Sequence, residues 1–207
     1  SSMLVAEVAA PKKGDRILDL CAAPGGKSLH MADKMGAYGM VDARDLTEYK
    51  VELIQENIAR ADAINIEAHC MDATILDEDS VNTADIVLAD VPCSGYGVIG
   101  KKPDIKYRIS ESKQEDLVLL QRKILDRASQ YVKEGGTLVY STCTIAREEN
   151  QGNVEWFLEN YPFEAVSLDG CLPEELQSET TKKGYLQLLP GVHKTDGFFI
   201  AKFKRKR

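Results

Sequence analysis

The feature that most constrains this chain is an alternation. Short apolar runs, each followed by a small-residue turn or an acid, are separated by longer amphipathic stretches. Arg16–Cys21 (RILDLC), Tyr38–Ala43, Ile64–Cys70, Ala84–Val91 (ADIVLADV) and Thr137–Thr142 (TLVYST) read as strands. Helices are predicted over Lys27–Lys34, over Leu46–Ala61 with Tyr49, Leu53, Ile54, Ile58 and Ala61 at helical spacing, and over Glu148–Asn160. Another runs over Gln114–Val132, with Leu117, Leu120, Ile124 and Leu125 on one face and Gly135-Gly136 as its stop. Phe163–Leu168 and Gly197–Lys204 close the set as two further strands. The pattern describes an α/β domain, a Rossmann-like, mostly parallel sheet of seven strands flanked by helices. Such sheets carry their working loops at the carboxyl ends of the strands, so the residues that follow each strand are the ones to read.

Length and composition narrow the classes. The 207 residues suffice for one substantial core, and a single domain over 1–207 is expected. A formal charge of 26 − 33 = −7 argues against gripping nucleic acid by bulk charge alone. The five cysteines (21, 70, 93, 143 and 171) contain no Cys-x-x-Cys pair, which argues against a disulfide framework and against a zinc site, and for a reducing, cytoplasmic setting. No run approaches the roughly 18 apolar residues of a membrane span, so no membrane partner is expected, and no oligomeric partner is evident.

The loop after the first strand is Cys21-Ala22-Ala23-Pro24-Gly25-Gly26-Lys27-Ser28. Its small residues let a ligand approach the backbone, and the helix behind it offers its first amides. A P-loop would need Gly where Cys21 stands, and a dinucleotide fingerprint would need Gly-x-Gly-x-x-Gly, so both are excluded. Asp42 ends the predicted second strand, where an acid either holds a ribose or simply caps a loop. Asp72 follows the third strand. Asp90 ends the fourth and opens Asp-Val-Pro-Cys-Ser-Gly, and a carboxylate at the end of a buried strand needs a partner or a job. Cys93 lies in that loop and Cys143 ends the fifth strand. Each is a small buried hydrophobe or a thiolate for chemistry beside a cofactor, and their place on neighbouring strands points to the second.

CAAPGGK, the acids at 42 and 72, DVPCSG and STC, in this order, resemble the Fmu/Sun (RsmB-type) family of RNA 5-methylcytosine methyltransferases. KKPDIKYR (101–108), GGTLVYSTC, Glu148-Glu149-Asn150 and TDGFFIAKF extend the similarity through nearly the whole chain, the last toward the bacterial small-subunit rRNA branch. Val91 stands where the family usually has Ala, and Met71 where it usually has Gly. The resemblance is to the catalytic domain, without the N-terminal RNA-binding domains that this branch carries. It implies S-adenosylmethionine as cofactor, with residues 21–27 around its amino-acid end, Asp42 on the ribose, and Asp72 and Asp90 beside the adenine and the reacting end. It also implies Cys143 as the attacking thiol, Cys93 as the thiol that assists release and Asp90 as a partner of the base. The partner implied is 16S rRNA, free or partly assembled, and no metal is expected. Lys101, Lys102, Lys106 and Arg108 with Tyr107 would grip phosphates and stack a base, or form a solvated loop. The competing reading is a non-catalytic RNA-binding or assembly module that keeps the fold; the presence of Cys143 and the Gly-rich loop favours the enzyme.

Overall fold

The computed structural model describes residues 2–36, 38–105 and 111–207. Five strands are parallel: β1 (Arg16–Asp19), β2 (Met40–Asp45), β3 (Ile66–Cys70), β4 (Ala84–Asp90) and β5 (Val132–Thr142), in the spatial order β3-β2-β1-β4-β5. β8 (Phe198–Arg205) lies antiparallel to β5. β6 (Phe163–Ala165) and β7 (Tyr185–Leu188) pair with successive stretches of the far side of β8. The described residues therefore form eight strands in seven ranks, the outermost shared by two short segments. This is the expected sheet, with β7 added.

Alternate residues of each strand face opposite layers. Ile17, Val41, Ala43, Ile86, Leu88 and Val139 pack with the helices α1 (Leu4–Ala9), α2 (Gly26–Met35) and α3 (Glu48–Ala61). Leu18, Val87, Ala89, Leu138 and Tyr140 pack with α4 (Glu111–Tyr131) and α5 (Gln151–Asn160). With both faces covered, the central strands read as unbroken apolar runs, and this is why the sequence showed them so plainly.

Several boundaries differ from expectation, for local reasons. β2 runs Met40–Asp45, not Tyr38–Ala43, because its pairing with β3 continues through Asp45 opposite Cys70. α3 begins at Glu48 because Thr47 is its N-cap, accepting from the amide of Lys50. Its buried residues are Val51 and Ile54, while Tyr49 is 68% exposed. α4 runs Glu111–Tyr131 where Gln114–Val132 was expected, and it stops one residue early because Val132 already pairs with Ala84 on β4. α5 starts at Gln151, three residues late, leaving Glu148-Glu149-Asn150 as a turn in front of it. α6 (Glu179–Lys182) went unnoticed in the sequence; it is one turn long, with a Ser178–Thr181 capping box.

From β1 the chain winds outward through β2 to β3, then crosses back to β4 on the other side of β1. That reversal opens a crevice at the carboxyl ends of β1 and β4, the position where sheets of this kind bind ligands.

Candidate active site

At this crevice the loop after β1 is fastened to the end of β2. The Ala22 amide donates to the Arg44 carbonyl at 2.8 Å, and the Ala23 amide to Asp45 Oδ2 at 2.9 Å. Gly25 is the N-cap of α2, so the first-turn amides, which have no helical partners, front the loop. The Cys21 thiol is pushed far up by burial, and by Asp19 and Asp45 nearby, so it is no nucleophile.

Asp19, the last residue of β1, is fully buried. Its Oδ2 accepts from Ser28 Oγ at 2.6 Å, while Oδ1 has no partner among the described residues. Burial raises its pKa to about 7, although the Ser28 hydroxyl works in the opposite direction. Asp90, the last residue of β4, forms an ion pair with Lys27 Nζ at 2.7 Å and accepts from Ser141 Oγ at 2.6 Å. Burial opposes the charge on Lys27, but Asp90 and then Asp19 outweigh it, and its pKa lies above the ordinary lysine value.

The two thiols follow the next two strand ends. Cys93 Sγ and Cys143 Sγ are 3.2 Å apart. The hydrogen bond between them lowers the pKa of Cys143, and the charge of Lys27 acts in the same direction. Cys93, sharing its proton with Cys143 and more deeply buried, is pushed far up. The geometry thus sets Cys143, whose thiol is the more readily ionised of the two, beside the protonated Cys93 and next to an ammonium–carboxylate pair.

The structure brings Cys21–Lys27, Asp90, Cys93 and Cys143 to one sheet edge as expected. Asp72 lies at the same edge, beyond β3, where Oδ1 accepts from the amide and the hydroxyl of Thr74 at 2.8 and 2.7 Å.

Asp42 is different. It is the third residue of β2 and not its last, and it points to the α4 side of the sheet. Oδ2 accepts from Arg44 Nε and Nη2 at 2.9 and 2.6 Å, and Oδ1 lies 2.9 Å from His69 Nδ1. Arg44 also reaches Ser80 Oγ and Asp77 Oδ2, and its guanidinium lies over the Tyr131 ring. The acid that does end β2 is Asp45, which the sequence reading passed over. Its signal was there: Asp45 stands two residues before Thr47, the helix cap. Ser141, Gln121, Glu149 and Asn150 were also missed as parts of the site.

Of the basic stretch 101–108, Lys106, Tyr107 and Arg108 lie outside the described residues, and Lys101 pairs with Asp196 at 2.6 Å. No helix among the described residues is long and apolar enough to cross a membrane.

Residues 6–204 match the family model described as 16S rRNA methyltransferase RsmB/F. The chain is 44% identical to the Bacillus subtilis protein named "Probable ribosomal RNA small subunit methyltransferase B", across 100% of this chain and 46% of that protein. It is 34% identical to ribosomal RNA small subunit methyltransferase F of Cronobacter sakazakii, across 92% of this chain and 40% of that one. The crystal structure of NSun6 from Pyrococcus horikoshii with SFG, an S-adenosylmethionine analogue, superposes with a TM-score of 0.88 at 32% identity. That alignment covers 100% of this chain and 52% of the other. The chain spans less than half the length of either curated relative. Its fold is that of the S-adenosylmethionine-dependent methyltransferases. With the family model matching nearly every residue, and with 44% identity to a relative across the full chain, the protein belongs to the RsmB/F family of 16S rRNA methyltransferases.

Proposed function

We propose that this chain carries the catalytic site of an rRNA (cytosine-5) methyltransferase. It transfers a methyl group from S-adenosylmethionine to carbon 5 of a cytidine in cytoplasmic 16S rRNA, free or partly assembled, through a covalent adduct on Cys143. The observation that carries the reading is the 3.2 Å contact between Cys93 and Cys143 next to the Lys27–Asp90 pair.

The residues present fit the cofactor. The first turn of α2 and Lys27 suit a carboxylate, and the unpartnered Asp19 Oδ1 leaves an unused acceptor beside an ammonium group. Asp45, at the end of β2, is the acid placed to hold the ribose, in place of Asp42. When bound, S-adenosylmethionine supplies an electrophilic methyl group.

Carbon 5 of cytosine is a weak nucleophile, so a bond must first form at carbon 6. The Cys143 thiolate attacks there, and the ring electrons shift to carbon 5, which becomes able to take the methyl group. Asp90, fixed by Lys27 and Ser141, faces the base and stabilises the shifting charge. The carbon 5 proton then passes to water, its electron pair re-forms the carbon 5–carbon 6 double bond as the carbon 6–sulfur bond breaks, and the Cys143 thiolate is released. Cys93 assists this last stage. The base must leave any stack to reach this edge of the protein.

The test is a denaturing gel of protein incubated with cofactor and small-subunit rRNA, with the product nucleoside identified in parallel. Cys93→Ala should accumulate a protein–RNA conjugate, and Cys143→Ala should give neither conjugate nor 5-methylcytidine while still binding cofactor. A conjugate in Cys143→Ala only would reverse the roles of the thiols. Normal turnover in both variants would sink the reading.

A further inference from the structure

Two adjacent residues hold the two thiol turns, and the mechanism above uses neither. Glu149 and Asn150 lie in the turn before α5, and both are fully buried. Glu149 Oε2 accepts from the Ser94 amide at 3.0 Å and from Gln121 Nε2 at 2.8 Å. Gln121 Nε2 also donates to the Pro92 carbonyl at 2.9 Å. The backbone is therefore gripped on both sides of Cys93, at the carbonyl before it and the amide after it. Asn150 brackets Cys143 in turn, through a side-chain hydroxyl on one side and a backbone carbonyl on the other. Its Oδ1 accepts from Thr142 Oγ1 at 2.7 Å, and its Nδ2 donates to the Thr144 carbonyl at 3.0 Å. The brackets are joined to each other by the chain itself and by Ser94 Oγ and Thr144 Oγ1, 2.7 Å apart.

This arrangement is more than a stabilising belt. Glu149 Oε1 is buried with no hydrogen-bond partner among the described residues. A buried carboxyl group with an unmade bond costs stability, and a neutral side chain of the same shape would satisfy the same donors. At that cost Glu149 Oε2 still holds the Ser94 amide and Gln121 around the Cys93 turn, and supporting hydrogen bonds of this kind fix the reacting groups they surround. We propose that Glu149 and Asn150 are positioning residues, a bracket for each thiol turn, and that together they keep Cys93 Sγ and Cys143 Sγ in contact.

The inference rests on the roles proposed above for the two thiols, and it predicts different failures from neighbouring residues. Loss of the Asn150 bracket misplaces the attacker: Asn150→Ala should lower kcat about tenfold or more, leave KM for RNA unchanged and give no conjugate. Loss of the Glu149 bracket misplaces the thiol that assists release: Glu149→Ala should accumulate a protein–RNA conjugate with Cys93 still present. Glu149→Gln keeps an oxygen for Ser94 and Gln121 and should restore turnover, which excludes simple misfolding. Equal loss of rate in both alanine variants, with no conjugate in either, would overturn the proposal. Cys93→Ala on the same gel is the control for the underlying reading: if it traps nothing, the reading of the thiols fails. The brackets are then judged without RNA, by the rate at which diamide cross-links the pair, the sulfur–sulfur bond forming as the diazene takes up both thiol hydrogens. Glu149→Ala and Asn150→Ala should slow that cross-link about tenfold and Glu149→Gln should not; unchanged rates in all three would refute the brackets independently.

Discussion

Gly26 and Gly97 stand at the same edge of the sheet and are built into opposite kinds of structure. A Cβ placed on Gly26, the first residue of α2, would meet nothing within 4 Å. A Cβ on Gly97 would lie 2.2 Å from the Gly197 carbonyl oxygen and 2.7 Å from that of Cys143. At Gly26 the cofactor half of the site is bare backbone with space in front of it. The thiol half is closed: the Gly97 amide donates to the Cys143 carbonyl at 3.0 Å, and the Gly197 amide to Gly97 at 2.8 Å. Around that crossing lie the buried side chains that grip both cysteine turns. In the first half a small residue leaves room for a ligand, whereas in the second it leaves room for another segment of the same chain. The binding half should therefore tolerate change in the fold and fail in affinity, and the thiol half should do the reverse.

The largest effect should come from substituting these glycines in turn. Gly97→Ala forces backbone apart at the Cys143 carbonyl, and a displacement of about 1 Å at reacting atoms can cost about a hundredfold in rate. Methyl transfer should fall by about that factor, and overpacking should cost about 1–3 kcal/mol of stability. Cofactor affinity, measured by calorimetric titration, should stay within about twofold. Gly26→Ala should leave the melting temperature unchanged or slightly raised, since Ala favours a helix by up to about 1 kcal/mol, and should weaken cofactor binding. If both variants lose affinity and stability alike, the two halves are not independently built.

The same contrast explains what could be read from the sequence. The strands and the Gly-rich loop were legible because burial on both faces and close ligand approach each leave a compositional mark, in IVLAD and in CAAPGGK. Strand ends were less legible. The last acid of MVDARD is the one at the crevice, but the apolar run fades before it and by itself points to Asp42 as the strand end. The burial of Gln121, Glu149, Asn150 and Asn153 left no local signal, although Glu149 and Asn150 stand in a stretch that carries the family resemblance. On a one-dimensional reading these are polar residues in amphipathic helices, and only the meeting of α4, α5 and two strand ends buries them. β7 was missed because it has only four residues, and the stretch 189–197 that joins it to β8 is too long to read as a tight hairpin turn.

A smaller effect separates the two acids of β2. Asp45→Ala removes the carboxylate proposed for the ribose, and hydrogen bonds to charged groups are worth roughly 1.5–3 kcal/mol. Cofactor affinity should drop about tenfold or more. Asp42→Ala should leave affinity within about twofold and show instead as lost stability. It takes a partner from Arg44, whose side chain is 6% exposed, leaving Asp77 as the remaining carboxylate of that ion-pair group. Thermal melts and titrations on both variants check this. An affinity loss confined to Asp42→Ala would return the ribose role to that residue.

The smallest expected effect concerns Asp19, the buried acid on which the open half rests. Its pKa is raised by burial from 3.8 to about 7 in the folded protein. Between these values the folded state holds a proton that the unfolded chain has released. Folding is thus coupled to proton uptake, and the Asp19 contribution to stability must fall as pH rises through that window. A full proton difference corresponds to about 1.4 kcal/mol per pH unit, or a few degrees in melting temperature for a domain of this size. Asp85 has its pKa lowered: burial opposes its charge, but the Arg16 amide and Lys133 outweigh that cost. Its contribution has the opposite slope, so the whole-protein profile alone decides nothing. The difference between wild type and Asp19→Asn does, because every other group cancels and the amide still accepts from Ser28. Melting temperature should decline from pH 5 to 7 more steeply in wild type than in Asp19→Asn, and the difference should disappear on approaching pH 4. Parallel curves would mean that Asp19 stays ionised, and that the open half is braced by a buried charge.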